Sequence, residues 1–257
     1  MALVICEDLQ PGIVKVTMNR PDSLNALSMG HVTTLQQTFA KLGARRDCRV
    51  IILTGAGRGF CSGADLKDAE LAPGSESLTK LGYVVEAQQH LVDMLLTIRE
   101  LDKPVIAAVN GAAVGGGLAL SLVSDIRIAS KSAKFGAAFI KVGLSACDVG
   151  VSYLLPRIVG ASRAAELMLT GRTFDAQEAH RIGMTHDVVE DNQLMAAALK
   201  TAELIVGNSE YGVMMTKKGL WANLDASSLR QAIELENRTQ VLGYYTGNME
   251  EAMQGTL

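Results

Sequence analysis

Apolar residues recur along this chain at strand-like and helix-like spacings, and the two patterns alternate. Ile13–Met18 alternates as a half-buried strand does, and Asn19-Arg20-Pro21 turns out of it. From Ser28 to Leu42 the apolar positions Val32, Leu35, Phe39 and Leu42 keep helical spacing. Val50–Leu53 is a short β-branched run of the kind buried in parallel sheets. Phe60–Lys67 reads as a strand passing into a helix start, and Glu70–Ser77, with its proline, glycine and serines, as a surface linker. A long helix is predicted over Leu78–Leu101, with Leu81, Val84, Val85, Leu91, Leu95 and Ile98 in one apolar stripe. Pro104–Val109 and Asp125–Ala129 are strand-like, and Leu118–Val123 is helix-like. Beyond Lys134-Phe135-Gly136 the pattern turns mostly helical. Asp175 and Glu178 form a capping-box start for a helix that stops at Gly183. Further helical patterns cover Gln193–Val206, Glu210–Leu224 and Ser227–Leu242. Strand–helix alternation followed by a helical tail predicts an α/β core with an α appendage.

The pattern breaks most sharply at Asn110–Leu120, where Gly115, Gly116 and Gly117 stand between a strand and a helix. Glycine permits a tight turn and lets a ligand approach the peptide N–H groups closely. The first N–H groups of a helix lack internal partners and lie at its positive end. The triplet is therefore a seat for a phosphate or a reaction oxyanion, or else a tightly packed turn. The glycines of Thr54–Gly59 complete neither the dinucleotide fingerprint nor the Walker loop, so a plain nucleotide-binding reading is rejected.

Composition narrows the classes. The 257 residues are 48% hydrophobic with a formal net charge of -3, which gives a nucleic-acid or anionic-membrane surface no support. No apolar run is long enough to span a bilayer, and the N-terminus does not resemble a signal peptide, so a cytoplasmic location is expected. Cys6, Cys48, Cys61 and Cys147 are scattered and read as reduced thiols, not as a disulfide frame or zinc site. His31, His90, His180 and His186 form no ligand pattern, so no metal is expected.

Several ordered motifs resemble the crotonase family of enoyl-CoA hydratases and isomerases. They are Asn19-Arg20-Pro21 with Asn25-Ala26-Leu27, Phe60-Cys-Ser-Gly-Ala-Asp65, and Asn110-Gly111 with Val114-Gly-Gly-Gly117. Leu155-Pro156-Arg157 with Val159-Gly160, and Leu169-Thr170-Gly171 with Ala176 and Gly183, extend the likeness from about Ile13 to Val189. The resemblance implies an α/β fold: a spiral of ββα turns over residues 1–190, then a C-terminal helical trimerisation region over 191–257. It implies an acyl-CoA thioester as the partner, coenzyme A entering only as part of that substrate, and assembly as a homotrimer or a hexamer made of two trimers. The shared chemistry is stabilisation of a thioester enolate by two peptide N–H groups, which here fall on Ala64 and Gly116. Ala26, Ser62, Asp65, Leu66 and Lys67 make up the expected substrate-contacting set, the last three along the coenzyme; Lys67 alone also reads as a solvated surface lysine.

The same resemblance exposes departures. Family hydratases carry two glutamates at positions that hold Ala119 and Phe139 here. Adding water across a conjugated double bond needs a base and an acid, each contributing roughly 10²–10⁴-fold, and neither a methyl nor a phenyl ring supplies one. Asp148, in Asp-Val-Gly like that of dienoyl-CoA isomerases but displaced by one residue, is the replacement carboxylate. Two roles are open to it, proton transfer and N-capping of a helix from Gly150 towards Ile158. Isomerase or other enolate chemistry is thus favoured over efficient hydration, with a non-catalytic acyl-CoA binding protein as the alternative. The basic residue that hydratases place after Arg-Pro is replaced by Asp22, leaving Arg20, Lys217 and Lys218 as possible partners for the coenzyme 3′-phosphate.

Overall fold

The computed structural model describes residues 2–67, 74–75 and 77–256, so most of the expected linker, 70–73 and 76, falls outside the described residues. The chain starts as a hairpin, β1 (Val4–Gln10) and β2 (Gly12–Met18), followed by helix α1 (Met29–Ala44). Three windings of one plan follow, each laying a strand in a first sheet, a short strand in a second, then a helix. They are β3 (Cys48–Gly55), β4 (Gly59–Cys61) and α2 (Lys80–Arg99), then β5 (Val105–Val109), β6 (Ala112–Val114) and α3 (Gly116–Val123). The third is β7 (Ile126–Ser130), β8 (Lys134–Gly136) and, after one 3-10 turn at Ala138–Val142, α4 (Val151–Val159) and α5 (Ala161–Thr170). Then come β9 (Thr173–Asp175), α6 (Ala176–Arg181), β10 (Asp187–Val189), α7 (Leu194–Val206), α8 (Glu210–Asn223), α9 (Leu229–Tyr244) and α10 (Asn248–Thr256).

The first sheet has the order β1-β2-β3-β5-β7-β10, and the second β4-β6-β8-β9. Within the windings all pairings are parallel; among the described residues only the terminal pairs β1–β2 and β8–β9 are antiparallel. This is the spiral of ββα turns that the resemblance implies. Crossovers through α2 and α3 return the chain to the next parallel strand.

Parallel strands covered on both faces read as continuous apolar runs, and β3 is the clearest case. Ile51 and Leu53 join the main core with Val32, Leu35 and Phe39 of α1 and Met94, Leu95 and Ile98 of α2. Val50 and Ile52 point the other way, into a second cluster with Ile13, Ile106, Ile128 and Leu194, Ala198 and Ala202 of α7. Two alanines one helical turn apart let α7 lie close on the sheet. The predicted appendage therefore begins with a helix that belongs to the core.

Other expectations shift in detail. Helix α2 starts at Thr79, whose hydroxyl accepts from Gly82 N–H, and only the C-terminal part of its predicted stripe is buried. Leu81, Val84 and Val85 are exposed. Asp175 caps α6 through Glu178 N–H at 2.8 Å, but the Glu178 carboxylate turns to Arg172 instead of closing a reciprocal box. No helix starts within 60–67: after β4, Ala64 forms an isolated parallel bridge with Leu27, and the chain turns at 66–67. Among the described residues no helix is long and apolar enough to cross a membrane.

Candidate active site

Two glycine turns meet where the second sheet ends. Leu27 N–H donates to Gly63 C=O at 2.8 Å, and Asp65 N–H donates to Leu27 C=O at 3.1 Å. In a parallel bridge those two bonds clamp the residue between them, so the Ala64 N–H faces away from Leu27. On the other turn, Gly115 is the N-cap of α3 with φ 55° and ψ -118°, a conformation closed to side chains. Its own N–H goes to Gly136 C=O at 2.9 Å, which leaves Gly116 N–H as the first free donor of the helix. Among the described residues neither Ala64 N–H nor Gly116 N–H is given to a carbonyl of another element.

The turns are in backbone contact. A Cβ built on Gly63 (φ +97°) would lie 2.8 Å from Val114 O and 3.4 Å from Gly116 N. One on Gly116 would lie 3.7 Å from Gly63 Cα and 3.9 Å from Ala64 N. Gly117 is tighter still, its hypothetical Cβ being only 1.9 Å from Cys61 O. The structure thus brings Ala64 and Gly116 together, side by side on two packed turns, although Ala64 gains its orientation from a strand-like bridge instead of a helix start.

Two asparagines fix the 55–59 loop that leads into β4 and the first of these turns, and sequence reasoning gave them no role. Asn25, fully buried at φ 57°, accepts from Arg20 N–H and donates to Ala56 and Gly59 carbonyls at 3.0 and 2.7 Å. Asn110 donates to Gly55 and Gly57 carbonyls and accepts from Gly55 N–H. The available signal was an amide side chain among turn glycines, since asparagine tolerates the left-handed region.

The expected coenzyme-contacting residues lie along the same seam. Ser62 Oγ donates to Ser23 C=O, and Ser62 N–H to Leu24 C=O. Arg20 reaches Asp65 at 2.8 Å and the Ala26 carbonyl at 2.5 Å. That hydrogen bond holds the Asp65 carboxyl below the usual carboxylate range. Leu66 and Lys67 are exposed, and among the described residues Lys67 has no ion-pair partner. Of the three substitutes for the missing basic residue, Arg20 is engaged with Asp65. Lys218 pairs on the surface with Asp102. Lys217 is excluded, being buried with its ammonium on Asp125 and the Lys103 carbonyl. Burial pushes its pKa down.

Behind this seam His31 is fully buried, with Nδ1 at 3.1 Å from the Ala26 carbonyl and, among the described residues, no partner on Nε2. That contact assigns the proton to Nδ1. Protonating Nε2 would place an unpaired cation in the core, near Arg20, and desolvation accordingly lowers the pKa. The unfolded chain then binds more protons, so the linked stability is complete above about pH 6.5 and is lost as pH falls from there through the lowered folded value. Thermal melts between pH 8 and 5 should show the wild type losing more stability below pH 6.5 than His31→Gln. Parallel pH profiles for the two would contradict this assignment.

Asp148 lies on the 143–150 segment, and the structure removes one of its two roles. The N-cap of α4 is Gly150, at φ 80° with no side-chain cap. The Asp148 carboxylate instead accepts from the Gln88 amide of α2, a partner with no sequence signal. Val149 beside it is buried at φ 40°, a strained conformation for a β-branched residue. In the 3-10 turn just before that segment the Phe139 ring lies against Gly115, about where a Cβ there would touch it at 3.8 Å. Leu144 N–H closes back onto the Phe139 carbonyl at 3.1 Å. Ala119 is buried in α3, one turn after the glycines. Among the described residues no hydrogen bond joins Asp148 to either glycine turn.

Two other titratable side chains are held structurally. His90 Nδ1 lies 2.8 Å from the Glu86 carbonyl of its own helix. Burial pushes the Cys61 thiol up to about 12, which keeps it protonated. Among the described residues no group of three or more His, Cys, Asp or Glu could hold a metal ion.

Comparison with known proteins supports the fold described above. The family model described as enoyl-CoA hydratase/isomerase matches residues 8–256. A protein of Mycobacterium bovis named "probable enoyl-CoA hydratase" is 45% identical over 254 residues, covering 98% of this chain and 89% of its own length. The 1,2-epoxyphenylacetyl-CoA isomerase of Escherichia coli is 34% identical over 253 residues, covering 98% and 95%. A crystal structure from Mycobacterium abscessus, described as a probable enoyl-CoA hydratase/isomerase, superposes with a TM-score of 0.94 at 40% identity, covering 99% and 95% of the two chains.

Proposed function

The chain belongs to the enoyl-CoA hydratase/isomerase family of acyl-CoA enzymes, and on that premise we propose that it isomerises an unsaturated acyl-CoA, or rearranges it otherwise, through an enolate held by Ala64 and Gly116. The observation that carries this reading is the pair of free N–H groups on turns in backbone contact. Charge developing on a thioester oxygen would receive both hydrogen bonds and the positive end of α3. Removing one such donor typically costs ~10²–10³ in turnover.

The reaction type follows from the side chains around those donors. Ala119 and Phe139 stand where the resemblance puts the hydratase glutamates, and neither activates water. The ring against Gly115 makes that wall apolar. Asp148 has one oxygen on Gln88 and a second to take a proton from one carbon and return it to another, which balances an isomerisation with a single carboxylate. An isomerase among the relatives, the Escherichia coli protein, supports this; the hydratase name of the Mycobacterium bovis relative favours hydration as the second reading.

Incubation with enoyl-, dienoyl- and 3-hydroxyacyl-CoA thioesters, products followed by mass spectrometry, tests it. Double-bond migration is expected, with crotonyl-CoA hydration weak or absent and raised by glutamate at both 119 and 139. Robust hydration by the unmodified protein would show that the acid–base groups are misplaced.

The same premise supports assembly as a trimer or a dimer of trimers through residues 191–257. Leu229, Val241, Leu242 and Tyr245 on and after α9 are exposed in the single chain, an apolar surface that a second copy would cover. A solution mass of one chain would exclude that assembly.

A further inference from the structure

Arg127, the second residue of β7, is buried, and among the described residues no carboxylate pairs with it. Its adjacent acid, Asp125, is occupied by Lys217, Trp221 Nε1 and Val105 N–H, each at 2.8 Å. The guanidinium gives its hydrogen bonds to carbonyls alone. Nε donates to Met184 at 2.7 Å, while Nη1 donates to Ser124 at 2.6 Å, Ser121 at 3.3 Å and Leu122 at 3.5 Å. Three of these carbonyls belong to the last turn and C-cap of α3. Nη2 also points to the Asp125 carbonyl at 3.5 Å. Arg99 adds a longer contact, Nη1 to the Val123 carbonyl at 3.5 Å.

A buried cation is costly unless an opposite charge meets it. Asp125 supplies opposite charge without touching the guanidinium, and the groups in contact with it are the negative end of a helix dipole, carried by carbonyls that have no intrahelical partner. Burial lowers the pKa of Arg127 to about 10, so it stays protonated at neutral pH. The helix has eight residues, roughly 12 Å at 1.5 Å per residue, and its other end is Gly116.

We infer that Arg127 is a positioning residue for the enolate reaction, acting by its charge: it neutralises the C-terminal end of α3 and so raises the positive potential at the Gly116 N–H. A unit charge about 14 Å from the oxyanion, at an effective dielectric near 20, changes the oxyanion's formation constant by about 5–10-fold. The inference rests on the proposed function above, in which Gly116 faces the enolate.

The test uses acetoacetyl-CoA, a 3-ketoacyl thioester that enolises by itself, so no knowledge of the natural substrate is needed. The ultraviolet absorbance of the bound enolate is titrated against pH for the full-length protein. Wild type should favour the enolate over the free thioester; Arg127→Gln should weaken the bound enolate's formation constant by about 5–10-fold; and Arg127→Lys, which keeps the charge, should stay within about twofold of wild type. If Arg127→Gln fails to fold, citrulline at position 127, equal in shape and neutral, takes its place. A wild type that binds the thioester without favouring its enolate overturns the oxyanion reading and this inference together. A wild type that favours it, matched by the neutral variant, overturns this inference alone. A lysine variant as impaired as the neutral one also overturns it, because geometry and not charge would then be at work.

Discussion

Asp148→Asn is expected to reduce turnover by ~10²-fold or more while the fold and acyl-CoA binding persist. The structure makes this substitution more decisive than the sequence alone could. Asparagine is nearly isosteric, and its side-chain oxygen can still accept from the Gln88 amide that holds Asp148. No cap is lost, because α4 is capped by Gly150. The strain at Val149 comes from the backbone and is the same in both proteins. A stability change beyond ~0.5 kcal/mol is therefore not expected. What the amide cannot do is take a proton. The measurement is kcat and KM on whichever thioester the substrate panel identifies, with a thermal melt beside it. Full activity in the asparagine variant would move the catalytic group elsewhere on the 137–150 segment or onto another element.

Gly117→Ala is expected to be the most damaging single methyl in the molecule. The new Cβ would meet Cys61 O at 1.9 Å, Cys61 C at 2.7 Å and Cys61 Cβ at 3.0 Å. Backbone cannot swing aside as the end of a side chain can, and Cys61 is fixed by the pairing of β4 with β6. The first turn of α3 has to shift, and the Gly116 N–H moves with it relative to Ala64. Overpacking of this kind costs ~1–3 kcal/mol or more, and loss of an oxyanion donor ~10²–10³-fold in turnover. Gly219→Ala is the matched control. That glycine lies within α8 with nothing inside 4 Å of its hypothetical Cβ, so the same methyl should leave activity intact and stability unchanged or improved. Wild-type turnover and stability in Gly117→Ala would mean that the two turns are not as closely packed as described.

The elements that could be read from sequence were those long enough to show a period. Helices α1, α7, α8 and α9 fall within two residues of the spans expected from their apolar spacing. Of the second sheet only a strand at Phe60 was read, because β4, β6, β8 and β9 are three residues each, shorter than either period needs. Strand β1 was also missed, since five of its seven residues face solvent as an edge and its acidic residues mask any alternation. At the site, the glycines pointed to the turns but not to their contact, which depends on chain folding between residues 63 and 116. The stripe on α2 was read as apolar, and only its C-terminal part, Leu95 and Ile98, enters the core. Leu81, Val84 and Val85 share a helical face with Gln88, the residue that holds Asp148, so that face leads to the carboxylate and not into the core. Gln88 and Arg127 carried no signal because their partners are remote in sequence or are backbone atoms.

The packing of α7 has a consequence for how the protein is made. Its Leu194, Ala198 and Ala202 cover the face of the first sheet that carries Ile13, Val50, Ile52, Ile106 and Ile128. A ribosome emits the strands first and α7 later, at ~5–20 residues per second, so for several seconds one whole side of a nearly complete parallel sheet has no cover. During that interval the nascent chain displays a row of isoleucines and valines to whatever else is in the tunnel's vicinity, and it cannot settle until residue 202 has emerged. The helical C-terminal region thus does more than decorate a finished spiral: translation has to reach it before the spiral can close.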